Sequence, residues 1–189
     1  MNLAAYFSGS LKALGRGDGW ETDFDLSKKG FSQSFAALFL TLPCYYVCGL
    51  AVAKQRAALT GAEIAATIPL LPFVIIFTLY AFAFSVCAYL IAMVFDKQDR
   101  FRAWVIVRHW TVFFAVLLAA VFMGLTLIGL PFVIANFAAF ALYMSTLVID
   151  IRYAQKIAGF EWGAAVLTGC ILTAMGFTIL LTGVAQFTQ

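Results

Sequence analysis

Few residues of this chain could do chemistry, and their spacing restricts which chemistry that could be. His109 is the single histidine, so two histidines of this chain cannot hold a b-type haem, and no group of His and Cys has zinc-like spacing. Cys44 and Cys48 stand one helical turn apart, a spacing that offers either a soft-metal pair or small apolar packing. With both on one helix, a disulfide between them is geometrically poor. Cys87 and Cys170 read as packing residues. The acidic residues Asp18, Glu21, Asp23 and Asp25 lie close together, but their spacing and the glycine positions do not make an EF-hand loop. The chain shows no Ser, His and Asp arrangement, no glycine-rich phosphate loop and no paired carboxylates, the groups that lipid-cutting or lipid-transferring enzymes usually need. The expectation is a protein that is not an enzyme, with no catalytic residue, no metal and no cofactor.

The remaining polar residues lie in, or beside, one long apolar stretch. "WTVFFAVLLAAVFMGLTLIGLPFVIANFAAFALYMSTLVI", Trp110 to Ile149, has no charged side chain. As one helix at about 1.5 Å per residue it would be roughly 60 Å long, about twice the hydrocarbon thickness of a bilayer, so it must turn back on itself. Gly129 suits a helix C-cap and Pro131 the first turn of the next helix, which divides the stretch into two spans at "GLP". Counted outward from that turn, Arg108 and Asp150 reach a similar depth near the hydrocarbon edge, where an unpaired charge is expensive. They are expected to pair. On the first of these spans Arg108, Thr111, Ala115, Ala119 and Thr126 share a face. On the second, Asn136, Tyr143 and Asp150 follow at heptad spacing, flanked by Ala139 and Thr146. Such stripes are expected to face protein, because unsatisfied polar groups in hydrocarbon are costly. They read either as glue between helices or as a path lined by Arg108, Asn136, Tyr143 and Asp150.

The elements that must position these residues are membrane helices. With 64% hydrophobic and 11% charged residues, the chain lacks the polar surface of a soluble domain of 189 residues. The reading is all-α: a polytopic bundle with five transmembrane helices and an N-terminal interfacial amphipathic helix. Residues 1–30 form a cytoplasmic amphipathic helix and acidic linker, and 31–189 the five-span domain. The first span is expected over Phe31 to Ala53 and the second from Pro69 or Leu71 to Phe95, with the fifth from Trp162 to about Phe187. "TGAE" offers Thr60 as N-cap and Glu63 as its capping-box partner, a helix start just outside the membrane. Pro69 and Pro72 then mark either a bend before the true span or a mild kink in a continuous tilted helix. On span five, Ala165, Gly169, Thr173, Gly176 and Gly183 fall within roughly 80° of one another at 100° per residue, a small-xxx-small stripe for another span or a second copy.

In the N-terminal segment, Leu3, Tyr6, Phe7, Leu11 and Leu14 share an arc of about 140°, with Lys12 opposite and Ser10 out of pattern. That fits a helix lying in the membrane surface, or a docking helix for a soluble partner. The "GRGDGWETDFDLSKKG" segment that follows reads as a solvated linker. The first residues do not have the order of features of a cleaved signal peptide.

Charge sets the expected orientation. With the N-terminus cytoplasmic, ten of the twelve Lys and Arg residues lie inside, and Lys54 and Arg56 lie outside. Trp20, Trp104, Trp110 and Trp162 fall at or just before cytoplasmic span ends, where an indole prefers the headgroup region. The C-terminus is then outside, and a bacterial inner membrane is the expected location. The net charge of +3 is spread over short segments, which argues against nucleic acid as a partner.

Five spans with a cytoplasmic N-terminus, the loop "FDKQDRFRAWVIVRHW" before span three and "YAQKIAGFEWGAAVL" before span five resemble bacterial members of the Yip family of five-span membrane proteins. Eukaryotic relatives engage small GTPases and trafficking partners, but their Asp-Leu-Tyr-Gly-Pro motif is absent here, so the resemblance carries over no functional residue.

Two functions fit these features. One is a non-catalytic protein that organises or stabilises a membrane complex through helix packing and its N-terminal segment, with the bilayer, other membrane proteins or a second copy through span five as partners. The other is a small oligomeric permease or lipid-handling transporter. No acid or base lies near the midplane of any span, which argues against ion-coupled transport.

Overall fold

A computed structural model describes residues 2–61 and 68–186. It is all-helical: α1 (Leu3–Leu14), a short 3-10 turn (Trp20–Asp23), α2 (Lys28–Thr60), α3 (Leu70–Val94), α4 (Gln98–Leu125, extended by a 3-10 turn to Ile128), α5 (Phe132–Lys156) and α6 (Trp162–Gln186). Helices α2 to α6 are long and apolar enough to cross a membrane, so the chain is an integral membrane protein.

Local chemistry fixes where the helices begin and end. The Ser27 hydroxyl accepts from the Gly30 N–H at 3.2 Å and caps α2. Gly61, at φ 69°, closes it in the left-handed region. The α4–α5 turn is closed the same way: Gly129 has φ 113°, the Leu130 N–H donates to Leu125, and α5 starts after Pro131. Thr60 does not start a helix as expected. It is the last residue of α2, and its hydroxyl donates back to the Arg56 carbonyl. Glu63 lies outside the described residues. Helix α3 begins at Leu70, so no helix runs continuously through Pro69, and both prolines fall where a missing N–H costs little; residues 62–67, which would carry a helical turn before a bend, lie outside the described residues. Pro43, inside α2, removes one rung of the ladder within a span.

Helix α4 is the axis of the bundle. Every residue from Trp104 to Phe113 is buried, because α1, α2, α3 and α5 surround that stretch. The other spans bury one face and turn large apolar residues such as Leu79, Val86, Leu118 and Phe137 outward, the pattern a bilayer requires. The small-residue stripe of α6 is occupied within the chain. Gly169 lies against Ile151 of α5, and Gly176 and Gly183 against Tyr80 and Ile76 of α3.

The N-terminal region departs from expectation in three ways. Leu3, Phe7 and Leu11 of the apolar arc are 41%, 48% and 55% exposed, as a helix in the membrane surface requires, but Tyr6 of the same arc packs on the bundle together with Gly9, Ser10 and Ala13. The linker is not solvated throughout: Trp20 and Phe24 are buried, Phe24 stacks on Tyr6, and Lys12 pairs with Asp23 at 2.8 Å. Of the four tryptophans only Trp162 is exposed. Trp20, Trp104 and Trp110 belong to the core: Tyr6 of α1 stacks on Trp110, and Phe84 of α3 and Phe160, between α5 and α6, pack on Trp104.

Candidate functional site

Because α4 is surrounded, each polar residue on it must find its partner in a different direction, about 100° further round per residue. Arg108 points to α5, where Nε donates to Asp150 Oδ1 at 2.8 Å and a terminal nitrogen donates to Oδ2 at 3.3 Å. The Phe84 ring of α3 lies 3.6 Å from the guanidinium carbon, so the fork is held between a carboxylate and an aromatic face. Thr173 of α6 adds a longer bond to Asp150 Oδ2 at 3.4 Å. Four helices thus meet at one ion pair.

His109, the next residue, turns to α2 and α3. Its Nδ1 lies 3.1 Å from Ser34 Oγ and its Nε2 lies 3.2 Å from Ser85 Oγ. Ser34 already donates to the Phe31 carbonyl, so it accepts from the ring. In a neutral ring the proton is therefore on Nδ1, and Ser85 donates to Nε2. This Ser–His contact was not legible in the sequence. It resembles a nucleophile and its base, but His109 is fully buried and Ser85 nearly so, and a substrate carbonyl cannot reach them. Thr111 completes the layer: its hydroxyl stands 2.7 Å from the Tyr153 phenol, which also lies 3.2 Å from the Ser10 carbonyl of α1. Ser10, the polar misfit of α1, is thus at the interface with α5. Among the described residues, the Trp104 indole nitrogen is the buried side-chain group without a partner, and it sits among the rings of Phe84 and Phe160.

A second cluster holds α1 down. Lys156 donates to the carbonyls of Lys12, Gly15 and Gly17 at 2.9, 3.1 and 2.7 Å, and Arg152 donates to Leu14 at 3.3 Å. The carbonyls of Lys12, Leu14 and Gly15 belong to the C-terminal end of α1, where the last turn lacks N–H partners and carries partial negative charge, and that of Gly17 to the turn after it. Two cations one turn apart on α5 meet that need.

Beyond the ion pair, toward the α4–α5 turn, lies a central cavity of about 210 Å³. Arg108, Tyr143 and Asp150 line it, so the structure brings three of the four sequence-selected residues together. Asn136 is not among its lining residues; it is exposed on α5. Ala139 and Thr146 of the same helix do line the cavity, as do Tyr45 and Tyr80, which the sequence reading did not single out. Ala115 and Ala119 of the α4 stripe instead border an apolar groove of about 690 Å³ between α4 and α5, so the hairpin is not closed along its length. A second groove of about 710 Å³ runs between α3 and α6. The cysteines are all free, with Cys48 packed among Ala51, Ala120 and Met123. Among the described residues no three His, Cys, Asp or Glu side chains converge as metal ligands.

Comparison with protein-family models, curated proteins and solved structures gives no match.

Proposed function

We propose that this protein is a non-catalytic membrane scaffold that takes the transmembrane helix of a partner protein into the groove between α4 and α5. The observation that carries the reading is the composition of that groove. The buried Ala119 and Ala138 make its small-residue floor, and Ala115, Ala141, Phe122 and Phe137 also line it. A floor of small residues admits the bulky side chains of an apolar helix and lets backbones approach, the usual basis of helix association in lipid. The ionisable groups of the bundle are spent on internal bonds, which supports a packed body more than a conduit.

On this reading the end of the bundle with α1 faces the cytoplasm of a bacterial inner membrane, since ten of the twelve Lys and Arg residues belong to it. Leu3, Phe7 and Leu11 then dip into the adjoining leaflet as an interfacial ridge. The resemblance to the Yip family is compatible with this role but supplies no residue for it.

A photo-crosslinking amino acid placed at Phe122 and, separately, at Phe137 tests the proposal in native membranes. Both positions should yield an adduct with the same membrane protein, and Ala141→Trp, which fills the groove, should abolish it. Lipid adducts alone, or protein adducts indifferent to Ala141→Trp, would refute it. The central cavity favours the second reading, a small permease. That reading ranks lower because packed layers lie at both ends of the cavity, with Trp104, Ile149 and Tyr153 on one side and Ala51, Ala120 and Ala135 on the other.

A further inference from the structure

The central cavity has a mostly apolar wall that carries a few polar groups. Arg108 is 5% exposed, and Nε and one terminal nitrogen each give a hydrogen bond to Asp150; its other N–H groups have no acceptor among the described residues. Tyr45, Tyr80 and Tyr143 line the same space, with the Tyr45 and Tyr80 rings edge to face and their hydroxyls within reach of each other. Donors that open onto this space can give hydrogen bonds to a water or a ligand held there.

The charge balance selects the kind of molecule. Asp150 already neutralises Arg108, so an anion would meet the carboxylate, and a cation would find Asp150 engaged by Arg108 and Thr173. A neutral oxygen acceptor suits the remaining donors. Size selects further: a cavity of about 150 Å³ holds benzene, so 210 Å³ admits a molecule of one ring and a small substituent. Leu142, Leu172 and Leu180 supply the apolar part of the wall. Access lies between α5 and α6, where the Tyr143 and Phe177 rings stand 5.0 Å apart and Phe177 is exposed on the lipid side. We propose that the cavity is a binding site for a compact, neutral, bilayer-soluble molecule with a carbonyl-type acceptor, admitted sideways from the membrane past Tyr143 and Phe177. The proposal is independent of the scaffold reading.

The test uses the full chain in lipid nanodiscs and fluorine NMR of three one-ring probes: 4-fluoroacetophenone, 4-fluorotoluene and 4-fluorobenzoate. The ketone should bind saturably and about tenfold more tightly than the toluene, the difference one to two buried hydrogen bonds would make, and the benzoate should not bind. Thr146→Phe, which fills the cavity, should abolish ketone binding, and Tyr45→Phe should weaken it a few-fold. If Thr146→Phe does not fold, Ala139→Leu serves the same purpose. Equal binding of ketone and toluene, saturable binding of benzoate, ketone binding that survives a folded cavity-filling variant, or no saturable ketone signal in the folded parent would each overturn the proposal.

Discussion

Arg108 Nε stands 2.8 Å from Asp150 Oδ1, and both side chains are buried where α3, α4, α5 and α6 meet. Removing one partner leaves the other charge in the bundle without compensation, at a cost of about 3 to 5 kcal/mol. Arg108→Leu and Asp150→Leu should each lower the thermal midpoint in mild detergent, and the double variant should be less damaged than the sum of the two. Strict additivity would mean that the pair contributes no coupling.

Helix α1 should depend on α5 for its position. With Arg152→Met and Lys156→Met combined, hydrogen exchange across Tyr6–Ala13 should accelerate by about tenfold or more, since hydrogen bonds to charged groups contribute roughly 1.5 to 3 kcal/mol when well shielded and less when exposed. The amides of α4 should keep their protection. Unchanged exchange in α1 would show that the stacking of Tyr6 on Trp110 and Phe24 suffices to hold it.

Packing of α6 gives a paired comparison. A Cβ on Gly169 would run into the backbone of Ile151, whereas one on Gly163 meets nothing. Gly169→Leu should therefore destabilise the protein by about 1 to 3 kcal/mol or more, and Gly163→Ala should be neutral or slightly stabilising. Similar effects at the two sites would contradict the tight α5–α6 contact.

Asp25, just before α2, is held below the usual carboxylate range, first by the Ser27 hydroxyl and then by its backbone N–H. A carboxylate lowered in the folded state contributes stability above its unfolded value, and that contribution is lost as pH falls through the folded one. Carbon NMR titration should place the Asp25 midpoint lower in the folded protein than in a peptide of residues 20–30. Equal midpoints would mean that the Ser27 turn does not persist in solution.

The features legible in the sequence were those set by length and local chemistry. Hydrophobic run length located five spans, Gly129 and Pro131 located the α4–α5 turn, and equal distance from that turn paired Arg108 with Asp150. Contacts between distant segments were not legible. Helical periodicity assigned Leu3, Phe7 and Leu11 to a buried or lipid face but could not show that Tyr6, Gly9 and Ser10 would dock on the bundle. Trp104 and Trp110 looked interfacial because nothing in their spacing reveals that Phe84 and Phe160 pack on the first and Tyr6 on the second. Ser34 and Ser85 were single polar residues in apolar spans, and only the fold brings them to His109. Heptad spacing placed Asn136 on a line with Asp150, but the cavity ends before reaching it.

On the scaffold reading, the polar interior is sealed from water on both sides of the membrane. With Cys44, Cys48, Cys87 and Cys170 replaced, single cysteines at Ala139 and Thr146 would report on the cavity wall, and one at the exposed Asp18 would serve as a reactive control. A membrane-impermeant thiol reagent applied from either side should leave the two cavity positions unmodified while labelling position 18 from one side. Rapid labelling at Ala139 or Thr146 would contradict the scaffold reading, reveal a water-filled path and favour the permease.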